Sequence, residues 1–479
     1  MRNIPLALTY NDVLIVPQFS QLTSRSMANT KTRLTRQINL NIPIVTANMD
    51  TVTESDMAIA MARMGGIGFI HRFMTIEDNV EEIKRVKRAQ NFIISNPYQI
   101  SPQKTVLEAK KFIQENGVSG LLVANEDQLL QGILSNRDLL FAQNDQQLVA
   151  DLMTPREKLI TGNIKTTFDQ AKQTLHENKI EKLPLVDEQN KIVGLITSAD
   201  IQHLVNYPHA NIDSKGRLIV GGSIGVHGDY LERAEALIKA GADVLVIDIA
   251  HGHSEIMLNA IKNVRTKLGD KVQLIAGNIA TAAATKDLCE AGVDAIKVGV
   301  GPGATCITRL ITGCGVPQLT AVMEAVEVAK QYNIPVIADG GIQTSGDIVK
   351  AIGGGADCVM IGGLMAGTEE SPGIVMKRGD KKYKIYRGSA SFSVSHRRKT
   401  INLEKKDLNE VVPEGVESII PFKGSAREII GQLVGGIKSG MSYTNSLTIP
   451  ELQKNVQFVQ ITSAGVRESG HHDLGSTVL

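Results

Sequence analysis

Short apolar runs alternate along most of the chain with longer stretches in which apolar residues recur every three or four positions. The runs PIVTAN (43–48), GIGFIH (66–71), LIVGGS (218–223), DVLVID (243–248), VQLIAG (272–277), DAIKVG (294–299), PVIADG (335–340) and DCVMIG (357–362) read as strands. ESDMAIAMARM (54–64), YLERAEALIKA (230–240), ATKDLCEA (284–291) and SGDIVKAI (345–352) read as helices between them. Several helices stop at glycine, as at Gly65, Gly241 and Gly292, where the residue past the last turn must tolerate positive φ. Such alternation predicts an α/β fold with a parallel sheet. An open doubly wound sheet is the alternative; eight units favour closure into a (β/α)8 TIM barrel.

Residues 93–206 interrupt this pattern. NGVSGLLVANEDQLLQGILSNRDL (116–139) and NKIEKLPLVDEQNKIVGLITSADI (178–201) are similar halves. Each sets two apolar strands around a polar turn and ends in Ser, Asp and a new helix, a repeat with the period of a small β-α-β-β-α module. The expected organisation is barrel (1–92), tandem insert (93–206) and barrel again (207–479), with a mobile flap at about 375–420. The insert occupies a βα loop, on the face where a barrel carries its active site.

Composition narrows the function classes. At 42% hydrophobic and 21% charged residues the chain is that of a soluble globular protein. A net charge of +1 gives no electrostatic reason to expect nucleic acid or a membrane surface. The opening MRNIPLALTYNDV has too short an apolar stretch for a signal peptide, and no later run approaches the ~18 apolar residues of a span. Four cysteines without a CxxC make no disulfide framework, so a reducing, cytoplasmic compartment is expected.

In a TIM barrel the chemistry lies at the C-terminal ends of the strands. Those ends carry Asn48-Met49-Asp50, His71-Arg72, Asp248, Gly277-Asn278, Gly299 through Gly303, Asp339-Gly340-Gly341 and Gly362-Gly363. ADGGI and IGGLMAGTEESPG follow the seventh and eighth strands, where such barrels commonly hold a phosphate on backbone N–H groups. The loop GVGPGATCITRLITGCGVPQ (299–318) puts Cys306 at the same mouth, where a deprotonated thiol can attack an electrophilic carbon. Cys289 and Cys358 read as core filler. Cys314 shares the loop with Cys306, and the pattern does not say which of the two reacts.

The motifs KVGVGPGATCITR (297–309), GVPQLTAV (315–322), MDTVTE (49–54), DIAHGHS (248–254), AGNIAT (276–281), ADGGI (338–342), AGTEESPG (366–373), YRG (386–388) and VPEGVE (412–417) resemble those of the IMP dehydrogenase/GMP reductase family. The likeness runs from LTYNDVLIVP to AGVRESGHHD. The two halves of the insert resemble a tandem pair of CBS domains, which implies adenine or guanine nucleotides bound near Asp138 and Asp200. Both aspartates read equally as helix N-caps. The family resemblance implies that Cys306 is the nucleophile that adds to purine C2. It implies Asp339 on the ribose and Gly341, Gly362, Gly363 and Tyr386 on the phosphate. Met49, Gly388 and Ser389 would lie at the substrate, and Asp248 and Asn278 would approach the dinucleotide. It further implies potassium on backbone carbonyls of Gly301, Gly303 and Cys306, with a neighbouring subunit's C-terminal segment like RESGHHD, and hence a homotetramer that insert contacts extend toward an octamer.

Two reactions share such an intermediate. A dehydrogenase passes hydride from IMP to NAD and must then activate water. A reductase starts from GMP, expels ammonia and takes hydride from NADPH, so it must protonate a leaving amine. The dehydrogenases' Arg-Tyr pair on the flap falls here on Asn402 and Leu403, and no tyrosine lies between Tyr386 and Tyr443. Arg397 and Arg398 stand nearby in HRRKT, which also reads as a solvated flap edge. The Thr–Glu pair on which the reductases rely matches Thr308 and Glu414, although many dehydrogenases carry it too. TANM, IHRF and ITGCGVPQL resemble reductase versions of their motifs; MDTVTE and AHGHSE resemble the dehydrogenase's. Departures from the family pattern are Ala304, Gly363 and Ser389-Ala390. The expectation is a GMP reductase; the alternatives are an IMP dehydrogenase with another flap base and a catalytically weak, nucleotide-binding regulatory relative.

Overall fold

Eight parallel strands close into a barrel in the computed structural model, which describes residues 4–89, 93–94, 96–199, 201–202, 207–394, 396 and 412–470. They are β1 (Ile44–Thr46), β2 (Ile67–Ile70), β3 (Gly221–Ile224), β4 (Val244–Asp248), β5 (Gln273–Ile279), β6 (Ala295–Val298), β7 (Val336–Asp339) and β8 (Cys358–Ile361). Each pairs in parallel with the next, and β8 pairs with β1. The helices that follow them in turn are α1 (Ser55–Arg63), α2 (Ile76–Ala89), α3 (Tyr230–Ala240), α4 (Glu255–Leu268), α5 (Ala282–Glu290), α6 (Gln318–Ala329), α7 (Ser345–Gly353) and α8 (Ala426–Tyr443). This is the TIM-barrel architecture the alternation predicts. Among the described residues no helix is long and apolar enough to cross a membrane.

Alternation along the strands divides the core in two. Val45, Ile67, Phe69, Val244, Val246, Ile275, Ala295, Ile337 and Met360 fill the barrel interior. Their neighbours Ile44, Ile70, Leu245, Ile247, Leu274, Ile296, Val336 and Ile361 form a second buried layer with residues of the surrounding helices. One strand starts later than its apolar run indicates. Leu218–Val220 precede β3: Ile219 N donates to Asn211 O and Leu218 bridges Ile212, so this half of the run is spoken for before the barrel begins.

A repeated aspartate, just before β4, β6 and β8, locks the N-terminal side. Asp243, Asp294 and Asp357 each accept the backbone N–H that opens the preceding strand region, from Val220 (2.7 Å), Leu274 (2.8 Å) and Val336 (2.9 Å). Each carboxylate also meets a cation: Lys87 on Asp243, Arg36 and Arg265 on Asp294, Arg33 on Asp357. A buried carboxylate is tolerated only when so paired and hydrogen-bonded. The bottom of the barrel is thereby fixed, and the opposite end is left for chemistry.

After β8, Met376–Arg378, Lys381–Arg387 and Glu417–Pro421 form a three-stranded antiparallel sheet. This sheet joins the two ends of the expected flap; residues 397–411, with Asn402 and Leu403, lie outside the described residues.

The chain divides into two compact units, the barrel with residues 1–89, 209–212 and 218–479, and a second unit of 90–208 with 213–217. The second unit shows the repeat directly. Helices Val106–Asn116 and Phe168–Asn178 each begin at a threonine in a reciprocal capping box and end at a residue in the left-handed region. Hairpins Gly120–Ala124/Leu130–Ser135 and Lys182–Val186/Ile192–Thr197 follow in the same order.

Candidate functional site

Three interior rows end in charge at the barrel's C-terminal mouth: Val244, Val246 and Asp248 on β4, Ala295 and Lys297 on β6, Ile337 and Asp339 on β7. Lys297 Nζ donates to Asp248 Oδ1 at 2.9 Å, to Asp339 Oδ2 at 2.7 Å and to Asn278 Oδ1. Its side chain is 2% exposed. Asn278 Nδ2 donates back to Asp339 Oδ2 (2.9 Å) and to Gly299 O (2.6 Å), while Asn48 Nδ2 donates to Asp248 Oδ2 (2.7 Å) and Ser223 Oγ (3.0 Å). Burial opposes charge on both Lys297 and Asp248, but their neighbours together outweigh it: Asp248 and Asp339 around the lysine, and Lys297, Asn48 and Arg72 around the aspartate. The lysine's pKa is held above its ordinary range and the aspartate's below. The close approach of β5 requires glycine at 277, because a Cβ there would lie 2.4 Å from Lys297 O.

The loop after β6 carries the thiol. Cys306 Sγ lies 3.2 Å from Thr308 Oγ1, and that hydroxyl donates to Glu414 Oε2 at 2.7 Å. Glu414 comes from the far side of the flap, and backbone pairing brings it in. Cys306 bridges Gly415, Ile307 N donates to Glu414 O (2.8 Å), and Val416 N donates to Thr305 O (2.9 Å). Arg309 fastens both limbs of the loop, donating to Val300 O (3.1 Å) and Val316 O (2.6 Å). Cys314 is exposed on the same loop, its Sγ toward Thr312 O, outside this relay. Cys289 and Cys358 are buried; burial pushes the Cys289 thiol up to about 11 and Cys358 up as well.

Two glycine turns complete the mouth. At Gly340, with φ +91°, a Cβ would lie 2.9 Å from Pro302 Cγ and 3.1 Å from Gly303 N, so the Asp339-Gly340-Gly341 turn packs directly on the cysteine loop. Around Gly362 stand Tyr386 Oη and Met49 Sδ, 3.1 and 3.2 Å from where a Cβ would be, and Gly363 faces Tyr386 and Ala304. Tyr386 is buried, which raises the pKa of its phenol. Arg387 grips Asp50 through Nε (2.9 Å) and a terminal nitrogen (2.6 Å), tying the end of the Lys381–Arg387 strand to the loop after β1. Ser389 follows, half-buried, and Gly388 N donates to Val416 O.

The structure thus brings together Met49, Asp248, Asn278, Gly301, Gly303, Cys306, Thr308, Asp339, Gly341, Gly362, Gly363, Tyr386, Gly388 and Glu414 at one end of the barrel. Asp138 lies in the other unit, where its carboxylate accepts from Ser135 N (2.8 Å) and Ser135 Oγ (2.7 Å) as half of a capping box. Asp200 falls outside the described residues. Sequence reading set Asn48 and Asp50 at a strand end and Lys297 and Arg387 within motifs but gave none of them a role, and the Arg387–Asp50 clamp is visible only in the fold. Lys297 had a readable signal, a lysine inside the otherwise apolar stretch AIKV (295–298). Chemically, a thiol beside a hydroxyl–carboxylate relay supplies a nucleophile with a proton path. Glycine turns leave amides free for an anion, and the buried acid–lysine layer offers acceptors for hydroxyls.

Comparison with known proteins follows this geometry. The model of the IMP dehydrogenase/GMP reductase domain matches residues 7–472. An inosine-5'-monophosphate dehydrogenase of Nitrosopumilus maritimus is 50% identical, the match covering 98% of each chain. A GMP reductase of Leishmania donovani is 47% identical, again over 98% of each. Among solved structures, a cysteine-to-alanine variant of the GMP reductase of Trypanosoma brucei in complex with guanosine 5'-monophosphate superposes with a TM-score of 0.88, at 45% identity and over 98% of each chain.

Proposed function

The chain belongs to the IMP dehydrogenase/GMP reductase family of oxidoreductases, and from that premise we propose that it is a GMP reductase, converting GMP to IMP and ammonia at the expense of NADPH. The observation that carries the reading is the flap composition. Asn402 and Leu403 occupy the positions of the dehydrogenases' water-activating pair, and no tyrosine replaces it between Tyr386 and Tyr443. The contacts of Cys306 Sγ with Thr308 Oγ1 and of Thr308 Oγ1 with Glu414 Oε2 support a proton path to a leaving amine.

In this mechanism the Cys306 thiolate adds to purine C2. The C2–N bond then breaks as Thr308, backed by Glu414, delivers a proton to the departing amine. NADPH, when bound, supplies the hydride that C2 receives. The C2–S bond breaks and returns its electron pair to sulfur, so two protons are consumed and ammonium, IMP and NADP+ leave. Asp339 accepts from the ribose hydroxyls. Gly341, Gly362 and Gly363, with Tyr386, hold the phosphate, and Met49 and Ser389 border the base. Asp248 and Asn278 face the dinucleotide.

The cysteine loop also fits an alkali cation. Cys306 N donates to Gly303 O at 3.0 Å, which folds residues 303–306 into one short turn with Gly301 two residues before it, and carbonyl oxygens suit a hard cation. Potassium there would brace the loop; no step above depends on it.

The second unit is read as a tandem CBS pair that binds adenine or guanine nucleotides and regulates the barrel. The GMP reductase of Trypanosoma brucei has been solved in complex with guanosine 5'-triphosphate, and this chain matches 99% of that one at 41% identity and a TM-score of 0.77. The GMP reductase of Leishmania donovani is matched over 98% of its length, which agrees with a reductase that carries this insert. IMP dehydrogenase is the second reading, favoured by the 50% identity to the Nitrosopumilus maritimus enzyme.

The double variant Asn402→Arg/Leu403→Tyr tests the reading. If the missing base is what bars water, the variant gains XMP formation from IMP and NAD while the parent shows none. XMP formation by the unaltered chain at a comparable rate would overturn it.

A further inference from the structure

We propose that Lys297 is a positioning residue that ties the acid on the ribose side to the acid on the dinucleotide side, so that filling one subsite orients the other. The proposal rests on the reading that Asp339 holds the nucleotide's ribose and Asp248 faces the dinucleotide.

An ammonium has three N–H donors, and the three acceptors around Nζ are Asp248 Oδ1, Asp339 Oδ2 and Asn278 Oδ1. Two carboxylates this close repel each other without a cation between them. The position of each therefore depends on the same atom. Strand register sets that atom in place: Lys297 on β6 lies opposite Gly277 on β5 and Ile337 on β7, one residue before Asn278 and two before Asp339. Asn278 closes a second path, accepting from Lys297 and donating to Asp339 Oδ2. On the other side, Asn48 holds the second oxygen of Asp248 and is itself anchored on Ser223. The cluster has few free rotors, because the lysine is 2% exposed and Asn48 is buried. A ligand hydroxyl that settles on Asp339 fixes the carboxylate against Nζ, and the same ammonium then fixes Asp248. Coupling of this kind is reciprocal between the two sites.

The test uses the full-length Cys306→Ala chain, in which chemistry is blocked, and titration calorimetry of GMP with and without saturating NADP+. We expect NADP+ to tighten GMP binding by about 5–150-fold. Adding Lys297→Met should bring that factor to within about twofold of unity. An unchanged factor in the Lys297→Met protein, or none in the Cys306→Ala parent, overturns the proposal. Should Lys297→Met fail to fold by circular dichroism, Cys306→Ala/Asp248→Asn decides. The proposal requires that it weaken GMP alone by about tenfold through the lysine; an unchanged GMP affinity sinks it. Asp339→Asn serves as the separate check on the underlying reading. It should weaken GMP whether or not NADP+ is present, and if it does not, the ribose assignment fails instead.

Discussion

Replacing Glu414 by glutamine isolates the proton path from the rest of the site. The amide keeps an oxygen that can accept from Thr308 Oγ1 at the 2.7 Å now seen, and it keeps the backbone pairing of Ile307 N to Glu414 O. What it loses is the charge that lets Thr308 give up and recover a proton. Proton transfer by a positioned side chain is worth about 10²–10⁴ in rate. Because the relay touches sulfur only through Thr308, with Sγ to Oγ1 at 3.2 Å, the loss should fall on kcat, and the affinity for GMP should stay within about threefold. Thr308→Ala should cost a similar factor, and the double variant little more than either single one, since residues acting as a unit are not additive. The assay is steady-state NADPH consumption with GMP, beside direct measurement of GMP binding. A Glu414→Gln protein that keeps its kcat within a few-fold, or single effects that multiply in the double variant, would refute the relay.

Three other outcomes follow from the same geometry. Asp294→Ala strips Arg36, Arg265 and the Leu274 N–H of a shared acceptor, and should destabilise the barrel by about 3–5 kcal/mol; urea unfolding checks this, and a loss under about 1 kcal/mol would contradict it. Brief alkylation of the native protein at pH 8 should label Cys306 and Cys314 and spare Cys289 and Cys358, whose burial raises their thiol pKa. GMP should protect Cys306 alone, as peptide mass spectrometry would reveal. Gly340→Ala forces a Cβ to within 2.9 Å of Pro302 at a φ that costs a side chain about 1–2 kcal/mol; it should lower kcat more than overall stability, because the residue it displaces belongs to the cysteine loop.

The barrel was legible because its strands bury both faces and its helices announce their ends, as Gly65, Gly241 and Gly292 do with φ of +97°, +106° and +92°. The start of β3 was not, since a run as apolar as Leu218–Val220 looks like strand whether its N–H groups go to a barrel neighbour or to Asn211 and Asp243. At the site, the cysteine loop and glycine turns were readable from composition at the strand ends. Choosing Cys306 over Cys314 by proton path took the fold, because Glu414 is 106 residues away from Thr308 in sequence. The role of Lys297 was hidden for a different reason: a lone lysine in an apolar strand can be noticed in the sequence, but becomes meaningful only when Asp248 and Asp339, on other strands, are seen to meet it. The repeated aspartates at 243, 294 and 357 were equally invisible in function and explicit in structure, where each answers the N–H of a strand start.

The most direct test of the account is a quantitative product analysis of the purified, unaltered protein given GMP and NADPH, beside the same protein given IMP, NAD and potassium. A GMP reductase consumes NADPH and releases equimolar IMP and ammonia in the first mixture, and forms no XMP in the second. NADH and XMP accumulating in the second mixture, with the first inert, would contradict it and point to another base activating water on the flap.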